Sequence, residues 1–128
     1  MRKVSRMDLD SLLKNNVCEI VFVRRRPERA PGRPIVRRML CTNSQSLLNS
    51  KNGQISLNYR KAGPKQINEA LHDVVVVWDI FMQDYRNVSM EHCFLVKEIP
   101  ADDTFWEYFK TNIFPMSYNQ KLSFMDNE

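Results

Sequence analysis

Asp73–Ile80 reads DVVVVWDI, four consecutive valines and a tryptophan held between two aspartates. β-Branched valine favours extended backbone, and the lack of polar alternation calls for burial on both faces, so this is a central strand. Phe81–Asp84 is a turn-sized connection. Tyr85–Ser89 (YRNVS) then alternates as a half-buried strand does, and Cys93–Ile99 (CFLVKEI) is a further strand that Pro100 stops.

Toward the N-terminus, Ile35–Thr42 (IVRRMLCT) and Val17–Val23 (VCEIVFV) are two more apolar, β-branched runs, the second interrupted only by Glu19. In a flat alternation Arg37 shares a face with Ile35, Met39 and Cys41, while Arg38 shares one with Val36 and Leu40. One of these arginines must face inward, snorkel past the core, or lie beyond the covered part of the sheet. Ser5–Asn15 (SRMDLDSLLKN) predicts a short helix capped by Ser5 with Asp8, its apolar face made of Leu9, Leu12 and Leu13. Ser44–Leu48 predicts one helical turn. Residues 49–71 are polar and basic and read as a mobile insertion between strands, with Lys65–Asp73 either a short helix or continued coil. Beyond Pro100, Asp102 or Asp103 caps a helix through Ile113, with Phe105, Phe109 and Ile113 at four-residue spacing. Pro115 ends it. Ser117–Gln120 (SYNQ) is then a capping box for a last short helix containing Leu122 and Phe124 or Met125.

Several of these residues form an ordered series. Leu12-Leu13-Lys14 precedes Val17–Val23, and Met39-Leu40-Cys41-Thr42 is followed by a Ser and Leu pair. Val76-Val77-Trp78-Asp79 comes next, then a short gap, then Tyr85-Arg86-Asn87-Val88-Ser89-Met90 and the strand from Cys93. In this order and spacing, residues 8–99 resemble the WYL-type, Sm-like SH3 β-barrel proteins of tailed bacteriophages. The resemblance implies a mostly β (α+β) fold: a small five-stranded SH3/Sm-like barrel over residues 1–100, with an N-terminal helix. A short helical, aromatic extension over residues 101–128 would pack on it. It also implies a phage accessory protein acting in the host cytoplasm. Sm-like barrels often form rings through strand pairing, and no residue here chooses between ring and monomer. The connection Arg24–Arg38, the insertion 49–71 and the extension 101–128 depart from the family's pattern, and its function is poorly defined.

That connection carries the strongest functional signal. Seven arginines (Arg24, Arg25, Arg26, Arg29, Arg33, Arg37 and Arg38) stand against one acid, Glu28, around Pro27, Pro31, Gly32 and Pro34. Such a cluster repels itself unless an anion neutralises it. The guanidinium fork matches phosphate bidentately, so nucleic acid is the expected partner, with an acidic surface of a host protein as the alternative. Lys51, Arg60, Lys61 and Lys65 add a second basic segment, and Tyr59 beside Arg60 is a candidate stacking platform for unpaired bases. The net charge of +4 hides an asymmetry: residues 1–65 carry 15 Lys+Arg and 4 Asp+Glu, residues 66–128 carry 4 and 11. A basic front and acidic rear orient the molecule on a charged partner.

The remaining chemistry points away from catalysis. Cys18, Cys41 and Cys93 are odd in number, widely spaced and each in an apolar run, so three reduced, inert thiols and a cytosolic setting are expected. No pair of cysteines or histidines has zinc-ligand spacing, and Asp79, Asp84 and Glu91 match no metal-binding template. Gly63-Pro64-Lys65 lacks the residues of a phosphate-binding loop. Trp78, Asp79, Tyr85 and Arg86 read as fold maintenance, with Arg86 pairing Asp79 or Asp84. Met1–Leu13 has no apolar core of a secretion signal, and Val74–Trp78 is far too short to span a membrane. The expectation is a non-enzymatic binding module with no cofactor, no metal, no small-molecule substrate and no membrane partner.

Overall fold

The computed structural model describes residues 1–24, 27–29, 31–60 and 67–126. The sheet contains β1 (Arg2–Lys3), β2 (Asn16–Val23), β3 (Val36–Thr42), β4 (Val74–Asp79), β5 (Asp84–Ser89) and β6 (Cys93–Pro100). All pairs are antiparallel and the order is β1-β6-β2-β3-β4-β5. The five strands expected from the sequence are present to within a residue at either end. The expected five-stranded closed barrel is replaced by a six-stranded sheet in open order. Arg2 and Lys3 add a strand by pairing with Leu95 and Phe94.

A second departure from a continuous barrel wall lies between β3 and β4. They overlap only at Cys41↔Asp79 and Thr42↔Trp78, and each runs past the other. The backbone groups so exposed on β4 are met by side chains, as buried polar groups must be. The Val76 amide donates to Glu69 Oε2 at 3.2 Å, and its carbonyl accepts from Asn43 Nδ2 at 2.8 Å.

The pleat separates two cores. Cys18, Ile20 and Phe22 of β2, Val75 and Val77 of β4, and Cys93 and Leu95 of β6 bury one face, closed by Leu9 and Leu13 of α1 (Arg6–Leu13). Val17, Leu40, Trp78 and Ile99 start the other. A register shift between Glu19 and Ile20 skips Val96, so Leu95 and Ile99 point to opposite faces despite their even spacing. The α1 N-terminus is held as expected, with the Asp8 amide donating to Ser5 Oγ at 3.2 Å.

Residues 49–71, expected as a mobile insertion, hold helical structure where they are described. They contain α3 (Lys51–Ser56) and α4 (Glu69–His72), preceded by α2 (Gln45–Leu48), and residues 61–66 lie outside the described residues. Leu47, Leu48, Leu57 and Tyr59 anchor this segment in the second core. Ser44, Ser50 and Asn68 cap its three short helices. The extension adds α5 (Asp103–Tyr108), a π-helical turn over Phe109–Ile113, and α6 (Tyr118–Asp126). The π turn bonds the Phe114 amide to the Phe109 carbonyl at 2.8 Å. Phe105, Ile113 and Met125 are buried in the second core, whereas Phe114 and Tyr118 are exposed. The Ser117–Gln120 capping box forms in both directions, at 3.2 and 2.7 Å.

Gly53 allows α3 to lie against α2. A Cβ there would meet the carbonyl oxygens of Leu47 and Leu48 and stand 2.8 Å from Leu48 C. Backbone atoms cannot yield as a flexible side chain does. Gly53→Ala is therefore expected to lower stability by about 2 kcal/mol in urea unfolding, reversing the usual helical preference for alanine. An unchanged or raised midpoint would remove the close approach as the reason for glycine.

Candidate anion-binding interface

The β2–β3 connection is closed by an arginine as well as by the ladder. Beyond the last strand pair, Val23↔Val36, the Arg24 amide donates to the Ile35 carbonyl at 2.8 Å. The Arg24 side chain turns back across the loop, its Nε donating to Pro34 O at 2.7 Å and its Nη2 to Arg33 O at 2.8 Å. Arg24 therefore ties the two limbs of the hairpin together. Pro27–Arg29 forms one 3₁₀ turn, with Glu28 and Arg29 exposed, and Gly32 takes φ +91°, where a side chain would be strained.

On β3 the two arginines that alternation could not place have different solutions. Arg38 stands opposite Val21 and Glu19 opposite Leu40, so Glu19 and Arg38 are diagonal neighbours on one face. Glu19 is buried, and its Oε2 lies 3.7 Å from Arg38 Nε. The Arg38 guanidinium also lies over the Phe124 ring, 5.3 Å from its centroid, a cation–π contact contributed by α6. Arg37 is on the opposite face. Its Nε lies 3.6 Å from Asp126 Oδ1, and its Nη2 donates to the Met125 sulfur at 3.7 Å. Arg33 reaches the same carboxylate, with Nη2 at 2.9 Å from Oδ2.

Two guanidinium groups thus share one carboxylate, which leaves excess positive charge. Burial first, and the neighbouring Arg33 cation second, lower the Arg37 guanidinium from its ordinary value, with Asp126 acting in the opposite sense. Arg33 Nε and Arg38 Nε are shielded from solvent and have no hydrogen-bond partner among the described residues.

The remaining candidates are dispersed. Arg25, Arg26, Lys61 and Lys65 lie outside the described residues. Lys51 is exposed at the start of α3. Arg60 is exposed and lies 3.6 Å from Asp84, not from the hairpin. Tyr59, the candidate stacking platform, is buried. Its ring packs edge-on to Trp78 at 5.2 Å and its hydroxyl accepts from Tyr85 at 3.1 Å, so its face is in the core. The structure therefore brings together Arg33 and Arg37, with Arg24 clamping the backbone and Arg38 on the reverse face.

Sequence reasoning missed Asp126, because partners this far apart in the chain carry no local pattern. The signal that could have found it is an acid in the last turn of a capped helix, where the macrodipole disfavours one.

Around this site the groups are structural. Asp79 is buried, accepts from the Phe81 and Met82 amides at 2.9 and 3.1 Å, and lies 3.7 Å from Arg86. Cys18 and Cys93 are pushed up to about 12, chiefly by burial, and Cys41 rises well above its ordinary value for the same reason. Such thiols stay protonated and unreactive. Among the described residues no group of three His, Cys, Asp or Glu side chains could hold a metal ion, and no helix is long and apolar enough to cross a membrane.

Two outcomes follow from these pairs. Arg38→Met leaves the Glu19 carboxylate buried without its cation and is expected to cost about 2 kcal/mol in urea unfolding, reduced from a fully buried pair because Arg38 keeps some exposure. Adding Glu19→Leu to the same chain is expected to recover most of that loss, and a purely additive double variant would sever the coupling. For Asp79, burial raises the carboxyl above its ordinary value of 3.8, against the opposing hydrogen bonds and Arg86. The folded state therefore holds this proton more tightly than the unfolded state. Stability from that source is complete below the ordinary value and is lost as pH rises through the folded-state value. Asp79→Asn is expected to gain on the wild type as pH is raised from about 3 to about 7, and the opposite trend would mean that Arg86 and the amides outweigh burial.

Compared with known proteins, the chain matches no family model, no curated protein and no solved structure.

Proposed function

We propose that this chain is a non-enzymatic phage accessory module that binds the phosphate backbone of RNA or DNA through the arginines of its β2–β3 connection. The observation that carries this is an imbalance of charge. Seven arginines lie between Arg24 and Arg38 against one acid of the same stretch, Glu28, and Arg33, Arg37 and Arg38 draw on Glu19 and Asp126 from elsewhere in the chain. Arg29 is exposed at the turn of a hairpin that Arg24 holds in shape, and Arg25 and Arg26 lie between them in sequence. A guanidinium fork suits phosphate oxygens better than it suits water. Lys51 and Arg60 extend the cationic character into the α3–α4 segment, and Lys61 and Lys65 follow them in sequence. Apart from β1, the order β6-β2-β3-β4-β5 sets the last strand beside the first, as in an SH3/Sm-like barrel, while the phage origin and host-cytoplasmic setting rest on the resemblance of residues 8–99.

One observation favours a second reading. Arg33 and Arg37 already accept a carboxylate carried on a helix, which is the contact an acidic protein surface would make. The same hairpin could then dock on an acidic patch of a host nucleic-acid machine such as RNA polymerase.

Fluorescence titration with random single- and double-stranded oligonucleotides separates the two. For backbone binding through three or four cations, affinity is expected to fall about tenfold to a hundredfold between low and physiological salt. Joint Arg25→Glu, Arg26→Glu and Arg29→Glu substitutions should abolish it without unfolding the chain. Weak, salt-insensitive binding would reject the nucleic-acid reading, and the same variants would then be tested against purified bacterial RNA polymerase.

A further inference from the structure

α6 ends on an acid where helices disfavour one. Its carbonyl end carries partial negative charge, Asp126 adds more, and no basic residue lies in its last turn. What offsets this is the arginine pair. A single Nη2 of Arg33 spans both Asp126 oxygens, at 2.9 and 3.0 Å, and Arg37 Nε approaches one of them at 3.6 Å. A phosphodiester, like this carboxylate, offers two anionic oxygens to guanidinium donors.

The occupancy is incomplete, since among the described residues Arg33 Nε still lacks an acceptor. α6 is attached through a few side chains, with Phe124 packed edge-on to Phe81 and under the Arg38 guanidinium. Met125 is its buried residue, with Leu122 and Phe124 partly covered. Helices this short do not persist once detached, so loss of those contacts would melt the segment.

We propose that α6 is a cis-acting acidic cover: Asp126 fills the Arg33–Arg37 site in the free protein, and the phosphates of a bound nucleic-acid strand displace it. This rests on the nucleic-acid reading above. Binding then has to break the Asp126, Met125 and Phe124 contacts, so apparent affinity is lowered by the fraction of molecules in which the cover is closed. Removing the negative charge opens the site without touching an arginine.

The test is anisotropy with a fluorescein-labelled oligothymidine, together with hydrogen exchange of the α6 amides. Asp126→Asn is expected to bind about tenfold more tightly than wild type, and Asp126→Glu, which keeps the charge, to stay near wild type. In the wild type, α6 amides are expected to lose protection when the strand binds. If the wild type binds with salt-dependent affinity but Asp126→Asn does not improve it, or α6 keeps its protection, the cover is overturned while nucleic-acid binding stands. Binding by Asp126→Asn alone supports the cover in its tightest form. If neither protein binds, both ideas fall together.

Discussion

Cations cannot rest against an apolar sheet without an anion in reach, and the architecture of this chain is organised around that constraint. β3 carries Arg37 and Arg38 on opposite faces of a strand that is otherwise part of two cores. Glu19 answers Arg38 from the neighbouring strand, which is why an acid is tolerated inside the apolar run of β2. Asp126 answers Arg37 and Arg33 from the far end of the chain. To deliver it, α6 must fold back against β3, and in doing so it lays Phe124 on Arg38 and buries Met125. The aromatic extension is therefore tied to the basic hairpin by electrostatics as well as covered surface.

Much of this was legible in the sequence where the signal was local. Asp73–Ile80, the alternating Tyr85–Ser89 and the capped Ser5 helix each carry their own pattern, and each forms. β1 was not legible, because Arg2 and Lys3 have no apolar side chain to report their pairing with β6. Helices α3 and α4 were hidden within residues 49–71 for a related reason. Their polar composition outweighed a few widely spaced anchors, although Ser50 and Asn68 stood in capping positions. Of the site, the arginine cluster was visible as composition, but its pairings were not. Arg33 and Asp126 are 93 positions apart, a separation across which periodicity carries no information. Tyr59 misled in the same way: beside Arg60 it looks like a nucleic-acid platform, yet Trp78 and Tyr85 claim its ring.

The two cores also explain why the hairpin has a firm base. A single register shift at Val96 lets β6 serve both layers, with Leu95 under α1 and Ile99 under the C-terminal helices. β2 and β3, which carry the connection, are thereby packed on both sides. Arg29 at the turn is displayed from that support.

Arg24 has one more consequence. Because its side chain grips the carbonyls of Arg33 and Pro34, the neck of the loop is sealed from within, independently of what lies beyond it. Such a seal would let the residues between 24 and 33 be exchanged as a cassette. Their length and charge can drift under selection, or be grafted by design, while the strand register below is untouched, so a lineage could retarget this surface without refolding the domain that bears it.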